Sequence, residues 1–201
     1  MELTTLKQRL EDIGYAASVF ETKEEAAAYL NEKIDGKSVG LGGSVTSAQL
    51  GIYDLLKTHN AVYWHQLPHD KSIDAEIRKM ENSADVYISS VNAISEKGEM
   101  VNIDGVCNRI AAIFYGVETV YMVIGKNKIT PDLESAIWRA RNIAAPRNAQ
   151  RLNRKTPCAV KGDRCYDCSS PERICKGMQI LLRKPSHGYY EIILVNEELG
   201  Y

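Results

Sequence analysis

Leu3, Leu6, Leu10 and Ile13 recur at helical spacing with charged residues between them, which predicts an amphipathic N-terminal helix within about residues 1–18. Thr22 with Glu25 forms a capping-box pattern ahead of an Ala-rich helix that ends near Asp35-Gly36. Beyond it, short apolar runs alternate with helical patterns. Ser38 to Leu41, Ala61 to His65, Asp85 to Val91 and Thr119 to Ile124 read as strands, with a late strand from Tyr190 to Val195. Ser44 to Leu56, Ile73 to Glu81, Cys107 to Tyr115 and Asp132 to Ala144 read as helices between them. This alternation predicts an α/β fold in three layers, a mostly parallel sheet with helices on both faces. Two stretches break the rhythm. Glu96 to Gly98 followed by Met100 to Ile103 reads as a hairpin-like excursion, and from Ala145 to about Ser186 the periodicity fades into Pro, Arg, Lys and Cys.

A chain of 201 residues suits one domain over 1–201, with the N-terminal helix and a Cys-rich segment at about 150–186 as appendages. The 25 Lys and Arg nearly cancel the 26 Asp and Glu, so no global field draws the protein to nucleic acid or to an anionic membrane. The N-terminus lacks the unbroken apolar segment of a signal peptide, and no run approaches the roughly 18 apolar residues of a membrane helix. The sequence reads as cytoplasmic.

Chemistry enters at VGLGGSVTSAQLGI, Val39 to Ile52. A turn from a parallel strand into a helix presents unpaired N–H groups to anions. Gly40, Gly42 and Gly43 let a phosphate or carboxylate approach the backbone, and Ser44, Thr46 and Ser47 add hydroxyl donors. The spacing is neither a dinucleotide fingerprint nor an NTPase loop. A tight turn that needs glycine only for packing fits the same residues equally well.

A second group follows the strand at Asp85 to Val91. Asn92, Glu96, Glu99, Asn102, Asp104, Asn108 and Arg109 sit where ligands bind at the carboxyl ends of parallel strands. Asn108 and Arg109 suit an anionic or carbonyl substrate. Glu96 suits a nucleophile or general acid/base, although a solvated hairpin accounts for it equally well. Lys128 follows another strand end and suits a substrate anion. His65 and His69 are separated by Pro68, which argues against a helical ligand pair.

Four of the five cysteines fall in one tract, Cys158-x6-Cys165-x2-Cys168-x6-Cys175. Four thiolates around a CxxC pair can close a tetrahedral site for zinc or an iron-sulfur cluster, and metal would order a tract with few core residues. A redox dithiol and packed reduced thiols are the alternatives. Lys161, Arg164, Arg173 and Lys176 would offset a tetrathiolate's charge, and Cys107 reads as core.

The segments VGLGGSVTSAQLG, NAISEKGEMVNIDG, VIGKNKITPDLESAIWRARNIAAPRNAQRL and CAVKGDRCYDCSSPERIC, with the ending ILVNEELGY, together resemble the LUD domain family, named for lactate utilisation. The resemblance spans nearly all of the chain after the first helix. It implies a NagB/RpiA/CoA-transferase-like fold. Ser95-Glu96-Lys97-Gly98 is similar to the S-E-N-G motif of family I CoA-transferases, whose glutamate forms an acyl-anhydride, with Lys97 in place of the asparagine. The resemblance thus implies a protein of lactate or 2-hydroxyacid metabolism that binds a small anionic metabolite between the glycine turn and a catalytic Glu96. The rival expectation is a non-catalytic accessory or electron-transfer subunit that docks on iron-sulfur oxidoreductase subunits through the four-cysteine segment. A homo-oligomer is compatible with either.

Overall fold

The computed structural model describes residues 1–201 and contains two sheets. The larger is built from β1 (Ala16–Phe20), β2 (Ser38–Leu41), β3 (Ala61–Tyr63), β4 (Val86–Ser89), β7 (Thr119–Gly125) and β10 (Tyr189–Val195). Its six strands are all parallel, in the order β1-β10-β7-β4-β2-β3. The smaller, ordered β8-β5-β6-β9, contains β5 (Ala93–Ser95), β6 (Met100–Asp104), β8 (Ile129–Thr130) and β9 (Gly177–Leu181). The helices are α1 (Leu3–Asp12), α2 (Lys23–Lys33), α3 (Val45–Gln49), α4 (Ile52–Leu56), α5 (Asp74–Asn82), α6 (Asn108–Phe114), α7 (Leu133–Arg139), α8 (Ala145–Arg151) and α9 (Pro157–Lys161). No helix is long and apolar enough to cross a membrane.

Period-2 alternation along the central strands decides the layers. Val120, Met122 and Ile124 of β7, with Ile192 and Leu194 of β10, face a core shared with α1, α6 and the small sheet. Tyr121, Val123, Ile193 and Val195 face the opposite core, with α2, α4 and the end of α3. Both faces of the sheet are covered, as an all-parallel sheet requires. A third, smaller core places Ala136, Ala140 and Ala145 against Ala93, Val101 and Ile103 of the small sheet. Alanines there let the helix from Leu133 to Arg151 lie close to the strands. A π-turn at Ala140–Ala144 interrupts that helix.

Several boundaries differ from the sequence pattern for local reasons. The N-terminal helix stops at Asp12, and Gly14 at φ 96° turns the chain into β1. Ser44 to Leu56 forms two short helices, because Gly51 adopts φ 63° between them. The capping box forms as the pattern predicts, with Glu25 N–H donating to Thr22 Oγ1 and Thr22 N–H donating to Glu25 Oε2.

The connections set the location of the site. From β2 the chain crosses outward to β3, then returns past β2 to β4 and continues to β7 on the other side. The carboxyl ends of β2 and β4 therefore flank a topological switch point, where adjacent loops diverge and leave a crevice. Gly40 fixes the depth of one wall. A Cβ built on it would lie 2.2 Å from the Glu81 carbonyl oxygen, so only glycine lets α5 seat against β2. We expect Gly40→Ala to destabilise the fold by about 1–3 kcal/mol in urea unfolding, since backbone must shift to relieve the overlap.

Candidate functional site

A cavity of about 560 Å³ opens at the switch point. Its wall combines Gly43 to Thr46 after β2, His65 and Gln66 after β3, Ser90 to Asn92 after β4, Lys128 after β7 and Gly200 after β10. Segments following five parallel strands thus meet at one end of the sheet. Seven Lys or Arg residues line it against two acids, Asp104 and Glu172. The exposed ones are Arg151, the last residue of α8, and Arg154 and Lys176 in the tract between α8 and β9.

Lys128 is 3% exposed. Its Nζ donates to Thr46 Oγ1 at 2.9 Å and to Ser90 Oγ at 2.8 Å, and no carboxylate lies within ion-pair distance. Burial, with the Arg139 and Arg109 charges added, pushes its pKa down to about 7. Arg109 is held rigidly beside it: its guanidinium donates to the Ser90 and Ile103 carbonyls and, at 2.6 Å, to Asn102 Oδ1. Asn102 in turn donates to Gln179, which donates to the Ile110 carbonyl, so this buried network joins β6, β9 and α6. Arg109 pairs with Asp104 at 3.5 Å, which offsets one positive charge.

Arg139, at the end of α7, clamps the loops. Its guanidinium donates to the carbonyl oxygens of Asn92 and Asn127 and to Tyr201 O, joining the segments after β4, β7 and β10. Burial lowers its pKa to about 10, which leaves it charged at neutral pH.

The glycines of the turn divide their work. Gly43, Ser44 and Thr46 line the cavity, whereas Gly40 and Gly42 do not. Gly40 accommodates α5, and a Cβ on Gly42 would lie 2.8 Å from Ser89 Oγ and 2.9 Å from Tyr87 Oη. Both are packing glycines, which corrects the expectation that they touch a ligand. The N–H groups of Gly43 and Ser44 make no hydrogen bond within the protein. Asn92 and Asn108 also line the cavity, but Asn92 Oδ1 is committed to Ile103 N–H. Asn108 Oδ1 accepts from Arg78, and its buried Nδ2 has no partner.

Pro68 separates His65 from His69, and the sequence spacing carries no sign of the partner that His65 does have. The partner is Glu81, sixteen residues on: Oε1 accepts from both the backbone N–H of His65 and its Nδ1, the latter at 2.7 Å. Glu81 is fully buried.

The model of the LUD domain matches residues 3–195. The chain belongs to the LUD domain family. A crystal structure of a DUF162 family protein from Deinococcus radiodurans has a similar fold, covering 96% of this chain and 95% of its own at 13% identity, with a TM-score of 0.51. No curated protein matches the sequence.

In this LUD domain Glu96 does not border the glycine turn. It lines a separate depression with Met1, Thr4, Lys126 and Thr130, and its carboxylate lies 3.9 Å from both the Met1 amino group and Arg9. The reason is the hairpin: β5 and β6 leave the main sheet for the small one and carry residue 96 toward α1. A shared hollow between Glu96 and Gly43, the arrangement the motif implied, is therefore corrected.

The four thiols of the cysteine tract are free, and no group of three or more His, Cys, Asp or Glu residues is placed to hold a metal ion. Cys158 Sγ meets Thr156 Oγ1, and Cys165 Sγ accepts from Asp167 N–H. As folded here the tract does not fit a tetrathiolate site. Arg173 organises it instead, donating to the carbonyls of Cys168 and Cys175 while lining the cavity. Cys107 is half-buried at the start of α6, at φ 70° rather than in the core.

The Lys128 charge has a stability consequence of definite sign. Its pKa of about 7 in the fold lies below the ordinary 10.5 of the unfolded chain, so between these values only the unfolded chain binds the proton. The resulting penalty is complete below about pH 7 and fades as pH rises toward 10.5. Lys128→Met should therefore raise the melting temperature at pH 7 in anion-free buffer by about 3 °C or more, with the gain over wild type shrinking toward pH 10. Paired thermal melts across this range check both features.

Proposed function

We propose that the cavity binds a small organic anion bearing a carboxylate, acyl-carboxylate or phosphate group, and that the protein acts in the metabolism of 2-hydroxy acids such as lactate. One observation carries the binding reading. Lys128 is buried without a counter-ion, beside Arg109, in the wall of a cavity whose cations outnumber its acids. A buried ammonium is stabilised most by an anion that neutralises it, and charge-assisted hydrogen bonds from Lys128, Arg109 and Asn108 Nδ2 supply the means. The free N–H groups of Gly43 and Ser44 suit the same ligand. The metabolic assignment rests on the family's name and on the match between this ligand chemistry and a hydroxy acid.

Thermal shift and calorimetry with lactate and inorganic phosphate, against matched sodium chloride, test the binding reading. A cognate anion at about 100 times its Kd should raise the melting temperature by roughly 5–10 °C. Lys128→Met should remove the shift, and Glu96→Gln, in its separate depression, should leave it intact. An undiminished shift in Lys128→Met would refute the assignment of the anion to this cavity.

A further inference from the structure

His65, in the cavity wall, has a ring nitrogen that makes no hydrogen bond within the protein. Glu81 Oε1 accepts the backbone N–H of His65 and lies 2.7 Å from its Nδ1, so the tautomer that fits this pairing carries its proton on Nδ1. Nε2 then carries the lone pair. That atom makes no hydrogen bond within the protein, and it faces the glycine turn: a Cβ built on Gly43 would lie 3.0 Å from it. Glycine at position 43 thus keeps open the space in front of Nε2. Glu81 is fully buried and its Oε2 has no hydrogen-bond partner. Its carboxylate is committed to the imidazole, in an arrangement that fixes the tautomer and stabilises positive charge on the ring.

We propose that His65, positioned by Glu81, is the cavity's proton acceptor and recognises a hydroxyl group on the bound anion. The proposal rests on the anion-binding reading above. Gly43, which faces Nε2, and Thr46, which accepts from Lys128 Nζ, belong to the same turn and line the same cavity with His65 and Lys128, so a ligand can place its anionic group at Lys128 and its hydroxyl at His65 Nε2. In the bound state the hydroxyl donates to Nε2. In a reaction at that oxygen the O–H bond breaks, an Nε2–H bond forms and the electron pair stays on the ligand oxygen beside the cavity's cations. The imidazolium so formed faces Glu81. The ligand class is a hydroxyl-bearing anion rather than a bare carboxylate.

Two measurements on the full chain test this. Long-range proton–nitrogen NMR correlations on the wild type at pH 7.5 should find a neutral His65 ring protonated on Nδ1 only. A ring protonated on Nε2, alone or together with Nδ1, overturns the proposal and needs no variant. Calorimetry with lactate and propionate, which differ by one hydroxyl, supplies the second. The wild type should prefer lactate about tenfold. His65→Asn keeps an N–H donor for Glu81 but removes Nε2, so it should retain propionate binding and bring the ratio close to one. A wild type that binds both anions equally, or a ratio unchanged in His65→Asn, overturns the role of His65 while leaving anion binding standing. If neither anion nor inorganic phosphate binds the wild type, both readings fall.

Discussion

A buried ammonium without a carboxylate partner is the constraint on which this site turns. Lys128 is held by two hydroxyls, and the nearest additional charges, on Arg109 and Arg139, repel it. Proteins rarely keep such a charge in the interior without pairing it, because desolvation works against the charged form. The depressed pKa near 7 expresses that tension, and an anion in the cavity relieves it. The surrounding arrangement makes sense as the means of holding the tension in place. Arg139 ties together the segments after three strands, and Arg109 is immobilised by three oxygen acceptors, so neither cation is free to swing away.

The fold supplies the location. In a parallel sheet, reversal of the crossover direction between β2 and β4 leaves a crevice at their carboxyl ends. Gly40 allows α5 to close on β2, which brings Glu81 under the loop after β3 and seats His65 against the glycine turn. Packing and chemistry are joined here: the glycine that permits the close approach of a helix also sets the carboxylate behind an imidazole. The basic tract between α8 and β9 completes the wall from outside, with Arg173 holding its carbonyls.

Much of this was legible in the sequence, and the remainder has physical reasons. Alternation of apolar runs and helical patterns marked five of the six strands of the main sheet, because strands buried on both faces are continuously apolar. β1, AASVF, was absorbed into the preceding helical pattern, and β9 lay hidden in a tract dominated by charge. Gly43 to Thr46 of the glycine turn, Asn108, Arg109 and Lys128 stand near strand ends in the sequence pattern, and they line one cavity. The position of Glu96 is not legible locally, because the sequence around it does not reveal that its hairpin joins a second sheet. The His65–Glu81 pair is not legible in the sequence, because the two residues are remote and a His-Glu pair across a strand-to-helix connection has no spacing signature. The cysteine spacing admitted a metal site, whereas this folded arrangement spends the tract on hydrogen bonds to Arg173 and on the cavity wall.

The most direct test of the central claim is the titration of Lys128 itself, followed through its ε-carbon by NMR in lysine-labelled protein, with and without saturating inorganic phosphate. Lys128 should titrate near 7 in the free protein and shift toward the ordinary lysine range when the anion binds. An ordinary lysine value in the free protein, or one indifferent to a bound anion, would contradict the claim.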